Sequence, residues 1–213
     1  MKLISVNLSL PRDVIWNGRT VTTGIFKEPV EGRVRLRKLN LDGDRQADLS
    51  VHGGPDKAVY CYPAEHYANW RDELKRTDLP WGMFGENFTV EGMLEHETNI
   101  GDRFRIGSAL VMVTQPRMPC YKLGIKFGRD DMLKKFLSSL RSGFYFSVLE
   151  EGAVTAGDEI ELLKRDPNNI TVTDITKLYS IEKTNHELKR RAIKVEALPA
   201  SWRSYFLKQL RNR

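Results

Sequence analysis

What most limits the fold of this chain is a change of pattern at Lys164–Asn169. Before it, short runs rich in β-formers are separated by glycine turns. After it, apolar residues recur at helical spacing. The junction Arg165-Asp166-Pro167-Asn168-Asn169 reads as a linker. The pattern therefore predicts a mainly β part over residues 1–164 and a small three-helix domain over residues 165–213. A chain of 213 residues is long enough for one good core with such an appendage.

The predicted strands are Lys2–Leu8, Gly32–Leu39, Ala58–Tyr62, Asn87–Val90, Arg103–Ile106, Leu110–Thr114, Gly143–Leu149 and Glu159–Leu163. Val34 and Leu36 alternate with Arg33, Arg35 and Arg37, as in a sheet with one wet face. Gly101-Asp102 and Gly157-Asp158 mark tight turns. Glu65–Leu74 and Asp130–Leu140 carry helical periodicity. Many short strands with few helices point to a β-barrel or a sandwich-like sheet. In the C-terminal part, Asp174, Asn185 and Ser201 are placed to cap three helices.

Composition excludes several classes of function. Cys61 and Cys120 are the only cysteines, too few for a disulfide framework or a four-cysteine iron–sulfur cluster. The four histidines show no zinc spacing. Any redox work thus needs electrons from another protein. No stretch approaches the roughly 18 apolar residues of a membrane span, and the N-terminal residues, broken by Ser5, Asn7 and Pro11, do not form a signal peptide. A cytoplasmic location is expected. The formal charge of +6 resides in residues 165–213, which hold 11 basic and 5 acidic residues. This segment reads first as a solvated helical face, although the Lys189-Arg190-Arg191 cluster also suits an acidic partner or nucleic acid.

Four segments can carry chemistry. In Val113–Leu123, two prolines stiffen the chain ahead of Cys120, with Arg117 and Lys122 nearby. Cations close in space favour a thiolate, a soft metal ligand. Cys61, inside the apolar run Ala58–Tyr62, reads as core. In Gly43–Val59, Gly53 and Gly54 allow positive φ and close approach to a ligand, and His52 and Lys57 flank them with donors. Asn87, in Phe84–Phe88, offers an amide to a heterocycle edge. Lys27, in Thr23–Val30, can meet an anion.

Taken in chain order, the four segments resemble the MOSC domain, named for the C-terminal domain of molybdenum-cofactor sulfurase, and most closely its YiiM-type bacterial members. The resemblance rests on Thr23-Gly24-Ile25 with Lys27, on Asp44–Val59 around His52-Gly53-Gly54-Pro55-Asp56-Lys57, on Phe84-Gly85-Glu86-Asn87, and on Thr114-Gln115-Pro116-Arg117 leading to Cys120. It implies a mostly β barrel with a few peripheral helices, followed by a three-helix domain. It also implies a molybdenum cofactor (molybdopterin) with Cys120 as the protein ligand to the metal. Lys27, His52, Gly53, Gly54, Lys57, Asn87, Gln115, Arg117 and Lys122 would hold the pterin and phosphate. The implied activity is reduction of N-hydroxylated compounds such as hydroxylamino-purines, with electrons from a separate reductase. On the residues themselves, Tyr121 or Tyr145 could lie against a flat substrate. A sulfur carrier using a Cys120 persulfide, or a module that binds and delivers the cofactor, stands as the alternative. Nucleic acid is not an expected partner, because no reading helix or stacking motif accompanies the basic cluster.

Overall fold

The structure, a computed structural model, describes residues 1–48 and 52–211. Twelve strands and six helices follow one another among the described residues. The strands are β1 (Lys2–Leu8), β2 (Arg12–Trp16), β3 (Arg19–Thr23), β4 (Glu28–Val30), β5 (Val34–Leu36), β6 (Val59–Pro63), β7 (Phe88–Glu91), β8 (Arg103–Ile106), β9 (Ala109–Pro116), β10 (Phe144–Glu150), β11 (Gly152–Val154) and β12 (Ile160–Lys164). The helices are α1 (Glu65–Leu74), α2 (Lys122–Phe127), α3 (Met132–Ser139), α4 (Val172–Ser180), α5 (His186–Ala192) and α6 (Ala200–Arg211).

Eight strands form one sheet in the order β12-β8-β9-β10-β6-β7-β1-β4. Its one parallel pair, β6 with β7, has α1 in its connection, as parallel neighbours require a long crossover. Every residue of β6 is buried, which explains its unbroken apolar run Val59-Tyr60-Cys61-Tyr62.

The expected barrel is not formed. The sheet curls until β12 and the residues just before it meet the start of β1, through Leu3 N–H to Asp158 O at 2.9 Å, Gly157 N–H to Leu3 O at 2.7 Å, Ile160 N–H to Met1 O at 2.9 Å and one bridge between Lys2 and Glu159. Among the described residues β12 and β1 are not paired as strands of the sheet. The outer edge of β1 is divided, because Val6, Asn7 and Leu8 pair instead with β4. Strand β4 carries Pro29, which has no N–H and so ends the pairing at an edge.

Other departures are local. The run Gly32–Leu39 narrows to Val34–Leu36 and leaves the main sheet to pair with β11. The hairpin β2–β3 was not among the predicted strands. Its Asn17-Gly18 turn, with φ of 49° and 73°, is a strong hairpin signal between β-branched runs. Helix α4 is capped by Thr171 rather than Asp174. Asp174 sits three residues later and completes a capping box, each side chain accepting the other's backbone N–H. Asn185 does cap α5, accepting Leu188 N–H at 3.0 Å.

The C-terminal helices share a core with the sheet. Ile170, Val172, Ile175, Leu178, Trp202 and Phe206 join the apolar cluster that includes Val111, Val113 and Phe146. Helices this short need such support. A second cluster, rich in aromatics, gathers Tyr62, Tyr67, Trp70, Phe84, Phe127 and Phe136 around α1, α2 and α3. No described helix is long and apolar enough to cross a membrane.

Candidate functional site

Strand β9 ends at Pro116, and the chain then crosses the open end of β6 and β10 before entering α2. That turn presents Arg117 and Cys120 beside Tyr60 and Tyr145, and the segments around Thr23–Lys27, Arg45–Ala47 and His52–Lys57 close around them. The result is a small, partly enclosed cleft. Glycine is required at Gly24, where a Cβ would lie 2.6 Å from the Arg45 carbonyl oxygen. Gly53 has φ of 85°, a left-handed value that lets the loop turn between His52 and Lys57.

Of the residues singled out in the sequence, Lys27, His52, Gly53, Lys57, Asn87, Arg117, Cys120 and Lys122 all line this cleft. Gly54 and Gln115 do not. Gly54 accepts Lys57 N–H at 3.0 Å and starts the 3-10 turn Pro55–Lys57. The Gln115 side chain is buried below the cleft, where its Nε2 donates to Asp56 O at 3.2 Å and its Oε1 accepts from Trp202 Nε1 at 2.8 Å. Leu49, Ser50 and Val51, part of the same glycine-rich segment, lie outside the described residues.

Two of the lining residues have structural duties. Lys27 is buried against Asp44, which also accepts Ser9 N–H at 2.9 Å and Asn87 Nδ2 at 3.0 Å. Burial lowers the Lys27 ammonium from its ordinary value, and Asp44 opposes that shift. Asn87 also donates to Asn7 O at 3.3 Å and accepts Tyr60 N–H at 3.2 Å, so its amide already has partners at both ends. These residues hold three segments together at the cleft floor.

Arg117 is different. Its guanidinium lies 5.0 Å from the Tyr60 ring centre and 5.2 Å from that of Phe136. It is 6% exposed, yet among the described residues its Nη1 has no hydrogen-bond partner. Burial works against its charge, but Tyr60, Tyr145 and Cys120 more than offset this and hold its pKa above the ordinary value. A buried donor of this kind at a cleft wall is suited to an acceptor brought by a ligand. His52 feels the same cations: burial first, then Lys122, Lys57 and Arg117, lower its pKa, so the imidazole is neutral at pH 7.

Arg45, Tyr60 and Met118 also line the cleft but were not singled out in the sequence. Arg45 had a signal, since it follows Asp44 in the glycine-rich segment. With it, five lysines and arginines face the cleft, and no Asp or Glu is among the described lining residues. Among the described residues no cluster of three or more His, Cys, Asp or Glu could cage a bare metal ion. The arrangement thus offers one half-exposed thiol and a cationic surround, suited to an anionic ligand with a soft-metal or electrophilic centre. The basic cluster at α5 is largely occupied. Lys189 is buried and donates to Lys183 O, while Arg191 donates to Asn168 O and Asn169 O at 3.3 and 3.2 Å.

Comparison with known proteins follows the same division. The MOSC-domain family model matches residues 48–161, and a model described as a YiiM-like, 3-alpha helix domain matches residues 170–213. YflK of Bacillus subtilis (strain 168) is 44% identical over 97% of this chain and 93% of its own. Protein YiiM of Escherichia coli (strain K12) is 36% identical over 84% and 81%. A protein of Gibberella moniliformis named as a reductase is 36% identical over 70% of this chain but only 27% of its own. The crystal structure of YiiM from Geobacillus stearothermophilus superposes with a TM-score of 0.83 at 34% identity, covering 98% of each chain.

Proposed function

The chain belongs to the MOSC-domain family and carries the YiiM-like three-helix domain, and on that footing we propose that it is a molybdenum-cofactor-dependent oxidoreductase. Its substrates are N-hydroxylated compounds such as hydroxylamino-purines, and its electrons come from a separate reductase. The observation that carries this reading is the convergence of Cys120 with Arg45, Lys57, Arg117 and Lys122 in one cleft. The fit to an anionic cofactor rests on the orphaned Arg117 Nη1 and on the absence of acidic side chains among the described lining residues.

When bound, the molybdenum cofactor supplies a two-electron centre that accepts oxygen. The overall reaction is R–NHOH with two electrons and two protons giving R–NH₂ and water. Cys120 would hold the metal through its sulfur. Arg117 presents a guanidinium that lies over the Tyr60 and Phe136 rings to an anionic group. Lys57, Lys122 and Arg45 neutralise further negative charge. His52, kept neutral first by burial and then by its cationic neighbours, can both donate and accept a hydrogen bond without adding charge.

The test is the molybdenum-to-protein ratio of this protein and of Cys120→Ala, both made in a host that synthesises molybdopterin. It is followed by reduction of a hydroxylamino-purine with a chemical electron donor. Metal and activity in the parent, with both lost in the variant, are expected. Equal metal in both would remove Cys120 from the metal. A Cys120 persulfide that turns over without molybdenum would establish a sulfur carrier instead.

A further inference from the structure

The hairpin β2–β3 pairs with no other described strand, and isolated hairpins are marginal in water unless another element packs against them. Its two faces differ. Asp13, Ile15, Thr20 and Thr22 are all exposed, Ile15 at 71%. The opposite face consists of the cross-strand pairs Arg12–Thr23, Val14–Val21 and Trp16–Arg19. This face turns to the body of the protein. Arg12 lies 4.0 Å over the Phe26 ring, and Thr23 is buried in the cleft wall. The same face therefore runs from the cleft, at Thr23, to the Trp16–Arg19 pair at the hairpin tip.

Across from that tip stands Tyr121, the residue after Cys120. It is 53% exposed, unusual for an aromatic side chain with apolar cores so near. Trp16, Asn17, Arg19, Val21 and Tyr121 together line an open groove. No carboxylate among the described residues pairs with Arg19. The nearest in sequence, Asp13, lies on the other face and accepts from Thr22 Oγ1 at 2.6 Å.

We propose that Trp16, Arg19 and Tyr121 form an outer subsite that holds the base and phosphate of a mononucleotide. One half-buried ring, Trp16, and one exposed ring, Tyr121, stack on a planar heterocycle, and the guanidinium beside Trp16 meets an anion one sugar away. A groove with one aromatic pair and one cation suits a single nucleotide. The subsite rests on the reductase reading and sharpens it: the substrate is an N-hydroxylated base presented as its nucleotide, with the ring reaching past Tyr121 towards Cys120.

Binding can be measured without the cofactor. Isothermal titration of the full chain with adenosine 5′-monophosphate, adenine and inorganic phosphate should show the nucleotide binding most tightly. Trp16→Ala should weaken nucleotide and adenine alike, by about five-fold or more. Arg19→Glu, an exposed change that leaves the core intact, should weaken the nucleotide to the level of adenine or below. No nucleotide binding by the parent, or equal binding by parent and both variants, would overturn the subsite. Trp16-dependent nucleotide binding in a parent that takes up no molybdenum would support the subsite while removing the reductase reading, so the two fail separately.

Discussion

Trp202→Phe tests whether the C-terminal helices are wired to the cleft. Trp202 is 9% exposed on α6, and its Nε1 donates to the buried Gln115 Oε1 at 2.8 Å. Gln115 Nε2 in turn donates to Asp56 O, in the turn that carries Lys57. Phenylalanine preserves a ring against Tyr179 and Phe206, whose centres lie 5.6 and 5.7 Å from that of Trp202. It removes the donor and strands a buried acceptor, at a cost of about 1–3 kcal/mol. The smaller ring adds about 1 kcal/mol of lost burial. The second arm is Gln115→Leu, which removes the acceptor. Asp56 O then still accepts Thr114 Oγ1 at 2.7 Å, so no new orphan is created there. In guanidinium unfolding with an unchanged m-value, Trp202→Phe should lose about 2–4 kcal/mol, and the double variant should recover about 1–2 kcal/mol against additivity. A loss below about 0.5 kcal/mol, or strict additivity, would refute the wiring.

Three further outcomes follow from buried charge and access. Burial lowers the Lys126 pKa from 10.5 to about 8 beside the Phe26 ring. Between those values the unfolded chain binds the proton and the folded chain does not. Stability should therefore rise with pH across that window, by up to about 3 kcal/mol, and Lys126→Met should flatten the rise in urea titrations. Asp44→Ala strands the Lys27 ammonium and two further donors, and should cost about 3–5 kcal/mol by thermal unfolding. A cost under about 1 kcal/mol would show that the pair is dispensable. Native alkylation with iodoacetamide, read by mass spectrometry, should label Cys120, which is half-buried, and spare Cys61, which is fully buried with burial raising its pKa. Equal labelling would contradict the packing of β6.

The parts of this protein that were legible in its sequence are those where local pattern and tertiary demand agree. The periodicity of Glu65–Leu74 gave α1 to the residue, because Tyr67, Trp70 and Leu74 face one aromatic core. The cleft gave a weaker signal: Cys120, Arg117, Lys57 and His52 stand beside prolines and glycines, a placement that suits chemistry and an ordinary turn alike, and the structure brings the four to one cleft. What was not legible depends on contacts distant in sequence. Lys27 and Asn87 looked like ligand donors, yet Asp44 claims both of them, from 17 and 43 positions away. The Gln115 amide looked equally available until Trp202, 87 positions on, took one end of it. Closure of the sheet is also a long-range property, since it turns on whether the outer edge of β1 is left whole for β12, and β4 takes half of that edge. A polar side chain in a motif therefore announces a site without saying whether it meets the ligand or braces the residue that does. Here the braces are Lys27, Asn87 and Gln115. Among the described residues that line the cleft, Arg117 is the one with a buried donor left unsatisfied, and it is placed to meet a ligand.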